Sequence, residues 1–224
     1  MTLGWSVAGR LGRWAISSVV TVAVLYLLVG RHNLAWVWAT VGVGTALTLV
    51  LFLTIDPDLA RERRRPGPGG VDRGARFTIA TLVGAELVVA GLDVGRFHWS
   101  DRVPGTVHWA GLALFSAGFA LVVWAVAVNR FFSAVVRIQT DRGHQLVTAG
   151  PYRYVRHPGY LGMLLAYPVM SLVIGSWWAL VPGAGCARIV LRRLFIEDRF
   201  LRDRLAGYAQ YAARVPYRLI PRVW

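Results

Sequence analysis

Four stretches of this chain stay apolar for about the length of one membrane crossing, and they constrain the fold more than any other feature. They are residues 14–30, 34–55, 77–95 and 107–128. A helix needs roughly 20 such residues to cross the hydrocarbon core. Within lipid, only helices and closed barrels satisfy every backbone polar group. A fifth run, residues 160–191, is too long for a single crossing. Gly175-Ser176 and Pro182-Gly183 interrupt it, so it reads as two helices, about 160–174 and about 177–196, joined by a tight turn. The chain is 56% hydrophobic, with a mean hydropathy of +0.50, which agrees with a protein that lives largely in lipid.

These runs predict an all-α integral membrane protein of about six transmembrane or hairpin helices. Arg10 and Arg13 precede the first run, but no small-residue cleavage site follows before Arg31-His-Asn33. That run is therefore read as a retained helix and not as a signal peptide. At 224 residues the length suits about one domain. Residues 1–128 hold the four N-terminal spans, and 129–224 hold the residues with chemical potential.

The formal net charge is +14, and every basic side chain is arginine. The arginines cluster at 61–76, at 130–156 and in the C-terminal tail, whereas the loops around Arg31 and Arg102 are poor in them. The positive-inside rule then places the N-terminus, the second loop, the fourth loop and the C-terminus in the cytoplasm. Because the charge follows membrane edges, membrane lipids are the expected partner and nucleic acid is not. The single cysteine, Cys186, excludes a disulfide framework and a cysteine-based zinc site within one chain. His32, His98 and His108 lack metal-ligand spacing, so no metal is expected.

The densest motif is Gly150-Pro-Tyr-Arg-Tyr-Val-Arg-His-Pro-Gly-Tyr-Leu-Gly162. Proline after His157 favours an extended histidine backbone, and Gly159 permits close backbone approach. Tyr152 and Tyr160 add aromatic faces and hydroxyls. The motif suits a ligand cradle, and it equally suits a helix start with interfacial tyrosines. Upstream, 133–139 is rich in β-branched residues and reads as a short strand, with Asp141-Arg-Gly143 a turn and 144–148 a return strand. A basic amphipathic tail helix is expected over 197–213, along the cytosolic interface.

Arg193 and Glu197 stand at i and i+4 and share one helix face, as ligand-binding groups or as a mutual salt bridge. Arg193 suits an anionic substrate through its guanidinium fork. Glu86 and Asp93 lie seven residues apart in the third run, where charge is expensive. Glu86 is read as a structural partner of an arginine or a polar cavity lining, and Asp93 as a hydrated residue near the outer end.

Taken together, Gly143-His-Gln-Leu-Val147, Gly150-Pro-Tyr152, Arg156-His-Pro-Gly-Tyr160, Arg193, Glu197-Asp198, Gly207-Tyr-Ala-Gln-Tyr211 and Arg214-Val-Pro216 resemble the isoprenylcysteine carboxyl methyltransferase family. That family sits in a larger group with the phospholipid N-methyltransferases. The resemblance covers 129–224 and implies a methyltransferase-like catalytic region that uses S-adenosylmethionine. By the same resemblance His144, Gln145, Leu146, Val147, Tyr152, His157, Pro158, Gly159 and Tyr160 contact the cofactor. Glu197 holds it from the last helix, and Arg193 faces the substrate. A glutamine of the family pattern falls on Arg137 or on Gln139, two residues apart on one strand face. The implied reaction is methyl transfer to a lipophilic or small acceptor, a carboxylate or a thiol(ate). Alternatives are phospholipid or amine N-methylation, a nicotinamide-dependent reductase of the sterol-reductase type, and a small membrane transporter. The all-arginine basic set points to a GC-rich bacterial coding sequence, and so to a bacterial plasma membrane with the active site on its cytosolic side.

Overall fold

The computed structural model describes residues 7–30, 32 and 34–224; Arg31 and Asn33 of the arginine-poor loop lie outside the described residues. Its helices are α1 (Val7–Val29), α2 (Ala35–Thr54), α3 (Pro57–Arg64), α4 (Ala75–Leu92), α5 (Gly105–Val128), α6 (Pro158–Ile174), α7 (Leu180–Arg204) and α8 (Tyr208–Arg214). A π-helical turn, Asp93–Phe97, extends α4. Four of these elements, α1, α2, α4 with its extension, and α5, are long and apolar enough to cross a membrane. On α1, Ile16, Val19 and Leu27 are exposed, as the lipid-facing side of a membrane helix would be.

The first helix starts earlier than its apolar run because Arg10 has a use. Its guanidinium donates to the carbonyls of Leu53 at 3.0 Å and Ile55 at 3.3 Å, at the end of α2. Cations favour that end of a helix. Arg96 likewise donates to Leu28 at 2.9 Å and Leu27 at 2.7 Å, at the end of α1. The shared core joins α1, α2, α4, α5 and α6 through Val29, Val37, Ala90, Phe115 and Met170.

Helices α5 and α6 pack backbone to backbone at two glycines. A Cβ on Gly162 would lie 2.5 Å from the Gly118 carbonyl oxygen, and one on Gly118 2.7 Å from the Gly162 oxygen. Replacing Gly162 with alanine forces backbone against backbone, and overpacking of that kind costs about 1–3 kcal/mol. A lower thermal midpoint in detergent is the expected result, and an unchanged midpoint would contradict this packing.

The two intramembrane acids have partners that the sequence does not announce. Asp93 is fully buried and accepts from the Ser100 amide at 2.9 Å, the Ser100 hydroxyl at 2.6 Å and the Ser176 hydroxyl at 2.6 Å. It is therefore not hydrated but bound to the turn between α6 and α7, where Ser176 also accepts from the Ala179 amide at 3.1 Å. Glu86 is fully buried without any arginine partner among the described residues. Its carboxylate accepts the Ser171 amide at 3.0 Å, one turn beyond Pro168 in α6. Cys186 is fully buried in the core, as a packing residue would be.

Two local expectations fail. No strand pairing joins 133–139 to 144–148 among the described residues; Val136 instead makes an isolated antiparallel bridge to Val71. The turn itself forms, with Gly143 left-handed at φ +61°. The His144 amide donates to the Gln139 carbonyl at 3.1 Å, but no ladder follows: the Gln139 backbone amide donates to the His144 ring at Nδ1, at 3.2 Å, and Arg137 is drawn away to Glu62. The tail over 197–213 is helical, but divided between the end of α7 and α8 instead of forming one separate helix. Nothing breaks the helix at Ile196, so α7 runs on to Arg204, and the break falls at Gly207, left-handed at φ +80°.

Candidate active site

The chain enters the site along an irregular loop and leaves it along α7, and a carboxylate from α7 organises both. Asp198, 3% exposed, accepts from Arg156 Nε at 3.0 Å, from the Tyr208 hydroxyl at 2.9 Å and from Arg218 Nε at 3.0 Å. His157 Nε2 lies 3.1 Å from the same carboxylate and 3.2 Å from the Tyr208 hydroxyl. Burial works against the Asp198 carboxylate, but the hydrogen bonds from His157, Arg156 and Arg218 hold its pKa well below the usual range. Burial and then the nearby Asp198 push the Tyr208 phenol upward.

The C-terminal tail fixes the same segment from the other side. The Arg156 amide donates to the Tyr217 carbonyl at 3.0 Å, and the His157 amide to the Arg218 carbonyl at 3.0 Å. With both its backbone and one ring nitrogen held, His157 precedes Pro158, the first residue of α6, where a missing N–H costs nothing. Gly159 is accounted for by a ring: a Cβ there would collide with Phe132. Tyr152 is tied in by its carbonyl, which accepts the Tyr211 hydroxyl at 2.7 Å, and by its own hydroxyl, which accepts from Asn129 at 3.2 Å.

Arg193 and Glu197 do not form the direct ion pair their spacing permits. Tyr160 stands between them: its hydroxyl donates to Glu197 at 2.6 Å and accepts from Arg193 Nε at 2.9 Å. Arg193 also donates to the Asp72 carbonyl at 3.3 Å, which anchors it to the connector before α4. A phenol linking a cation to a carboxylate fixes both side chains while leaving each with unused hydrogen-bonding capacity.

Gln139 and Arg137 have intramolecular uses. The Gln139 amide donates to the Phe131 carbonyl at 2.7 Å and accepts from Arg142. Arg137 pairs with Glu62 of α3 at 2.7 Å and with Asp141 at 2.8 Å. His144 packs on Phe131 with ring centres 4.6 Å apart. Burial, and then the charges of Arg142 and Arg137, lower its pKa from 6.5 to about 4. The folded protein thus takes up the His144 proton only near pH 4, whereas the unfolded chain takes it up near pH 6.5. The stability tied to His144 is complete above pH 6.5 and declines as the pH falls from there toward 4. Thermal midpoints measured at pH 8, 6.5 and 5 should show that fall, and His144→Gln should make it shallower.

A cavity of about 330 Å³ is lined by Arg137, Gln139, His144, Tyr152, Arg156, His157, Tyr160, Arg193, Glu197 and Tyr208. All the residues that the sequence singled out for cofactor or substrate line it, except Pro158. Among the described residues Glu197 is the only carboxylate on its wall. The sequence did not single out Asp198, Tyr208 and Tyr211 as site residues, although all three stand in quoted motifs. Phe132 carried no signal and Arg63 only that of the 61–76 arginine cluster; tertiary folding brings these two to the cavity and Arg218 to Asp198.

Residues 106–206 match the family model described as phospholipid methyltransferase. This segment carries that family's pattern. A rice (Oryza sativa subsp. indica) protein named "Probable protein-S-isoprenylcysteine O-methyltransferase" is 31% identical over 112 residues, 49% of this chain and 59% of that protein. Protein-S-isoprenylcysteine O-methyltransferase B of Arabidopsis thaliana is 28% identical over 116 residues, with the same coverage. The cobalt-zinc-cadmium resistance protein CzcN of Cupriavidus metallidurans is 32% identical over 138 residues, 58% of this chain and 56% of that protein. The chain thus spans a little over half the length of these relatives. The resemblance read from the motifs, over 129–224, and the family model's match, over 106–206, overlap across 129–206.

Proposed function

We propose that this chain is an S-adenosylmethionine-dependent methyltransferase of the membrane, acting on a lipophilic or small acceptor through a carboxylate or thiol(ate). The observation that carries the reading is a cavity on which Gln139, residues 144–147, Tyr152, His157, Tyr160, Arg193 and Glu197 converge, all within the segment that matches the family model. Its volume lies in the range of small-molecule sites. The donor set fits the cofactor. Glu197 suits an ammonium or ribose hydroxyls, Tyr152 and Tyr160 offer faces for a sulfonium, and Leu146 and Val147 offer apolar contact for a base.

Bound S-adenosylmethionine supplies a methyl group on a sulfonium, which needs an aligned nucleophile and little else from the protein. The chain's residues therefore position and desolvate. Arg193, its guanidinium steadied by Tyr160, grips an anionic acceptor in a bidentate fork. A carboxylate or thiolate is already nucleophilic and needs no base. Glu197 binds the cofactor and, through Tyr160, holds Arg193 in register. His157 anchors the start of α6 and the turn that bears the cradle. A cytosolic entrance for cofactor and a lateral opening for a lipophilic acceptor complete the reading, in a bacterial plasma membrane.

The second reading is N-methylation of a phospholipid or other amine. Glu197 favours it, as a wall carboxylate able to take a proton from an ammonium. The two separate when protein in nanodiscs is given methyl-labelled cofactor with long-chain carboxylates, thiols or amines in turn. Label is expected in the carboxylate or thiol. Label confined to the amine would replace the first reading with the second.

A further inference from the structure

The cavity extends beyond the segment that carries the family pattern. Its wall there is built by Arg63 of α3 and by Arg76, Ile79 and Val83 of α4, and Met163 and Tyr167 of α6, within that segment, complete this part of the lining. The two arginines belong to the N-terminal half of the chain, outside residues 106–206.

Their charges lack counter-ions. Arg63 donates to the Phe132 carbonyl at 3.1 Å and lies 5.7 Å from the centre of that ring. Arg76 donates to the Arg63 carbonyl at 3.3 Å and covers the Phe77 ring at 4.4 Å. Among the described residues no carboxylate comes within 4.0 Å of either. The cavity's remaining arginines are engaged: Arg137 by Glu62 and Asp141, Arg156 by Asp198, Arg193 by Tyr160 and Asp72. Burial and the positive charge of Arg193 lower the Arg63 pKa, and the phenols of Tyr167 and Tyr160 oppose that fall only in part. A partly desolvated cation beside another cation is unfavourable unless something negative joins it. Next to them the wall turns apolar, with Ile79, Val83 and Met163.

We infer that Arg63 and Arg76 extend the grip of Arg193 into an anion subsite for the acceptor, sharing the negative group of an amphiphile whose chain lies along Ile79, Val83, Met163 and Tyr167. That the amphiphile is the acceptor rests on the methyltransferase reading; the subsite itself rests on the cavity. The two arginines then select by charge. An anionic amphiphile is drawn in, and a cationic one is repelled by Arg63, Arg76 and Arg193 together.

The test uses the full chain in nanodiscs of neutral lipid. Binding of decanoate, decyl phosphate, decanol and decylammonium is measured beside calorimetric binding of S-adenosylmethionine on the same samples. Wild type is expected to prefer both anions to decanol by about tenfold or more, one strong charged contact being worth roughly that factor. Arg63→Gln should reduce the preference to under threefold, and Arg63→Lys should keep most of it, which separates loss of charge from loss of fold. Cofactor affinity should stay within threefold in both variants. A preference for decyl phosphate over decanoate marks a phosphate-bearing lipid as the occupant, and the reverse marks an acid; either supports the subsite. Equal binding of decanol and the anions by wild type, or an undiminished preference in Arg63→Gln, overturns it. Should the anion preference behave as expected while the cofactor fails to bind, the subsite stands and the methyltransferase reading falls.

Discussion

Asp198→Ala is expected to destabilise the protein more than any other single change around the cavity. The carboxylate is buried and receives Arg156, Arg218, Tyr208 and His157 at 2.9–3.1 Å. Removing it leaves the buried Arg156 guanidinium without its counter-ion, and breaking a buried pair in this way costs about 3–5 kcal/mol. The thermal midpoint should fall sharply. Binding of S-adenosylmethionine should weaken with it, because the His157 turn, α8 and the tail are all tied to this group. The pH dependence has a definite sign. The Asp198 pKa is lowered in the fold from the ordinary 3.8, so its stabilisation is complete above that value and is lost only as the pH falls below it. A variant with wild-type midpoint and cofactor affinity would show that the network is ornamental.

Arg193→Gln is expected to have the largest effect on turnover. The guanidinium is 5% exposed, is held by Tyr160 and lines the cavity beside Glu197. Losing a buried, charge-assisted contact to an anionic acceptor costs about 2–5 kcal/mol, which lowers kcat/KM by roughly 30-fold to more than 1,000-fold. Because Arg193 is assigned to the acceptor, affinity for S-adenosylmethionine should change by less than about threefold. Methyl-transfer kinetics and calorimetry on one preparation separate the two quantities. Equal losses in both would move Arg193 from the acceptor to the cofactor.

What could be read in advance follows from what physical chemistry writes locally. Hydrocarbon thickness dictates the length of each apolar run, so the four long spans and the break between α6 and α7 at Gly175 were legible. Pro182 misled as an interruption because it falls in the first turn of α7, where proline needs no partner for its nitrogen. The β-branched run 133–139 suggested a strand. Its fate was set by Glu62, 75 residues from Arg137, and by the His144 ring, neither of which leaves a mark on local periodicity. The same division runs through the site. Arg193, Glu197 and Tyr160 were legible from the i,i+4 spacing of the first two and from the motifs in which all three stand. That Tyr160 bridges the other two depends on how α6 lies against α7. Arg63, Phe132 and Arg218 enter only through the tertiary fold, and Glu86 and Asp93 proved to hold backbone and serines where a charged partner or water was expected.

The central claim is that this cavity binds S-adenosylmethionine, and calorimetric titration of the purified full chain tests it most directly, with Glu197→Ala and His157→Ala alongside. The account predicts micromolar-range binding by the wild type. It predicts at least about tenfold weaker binding in Glu197→Ala, whose carboxylate faces the cavity, and weaker binding in His157→Ala, whose loss loosens the turn. Folded wild-type protein that gives no heat with S-adenosylmethionine at millimolar concentration would contradict the account.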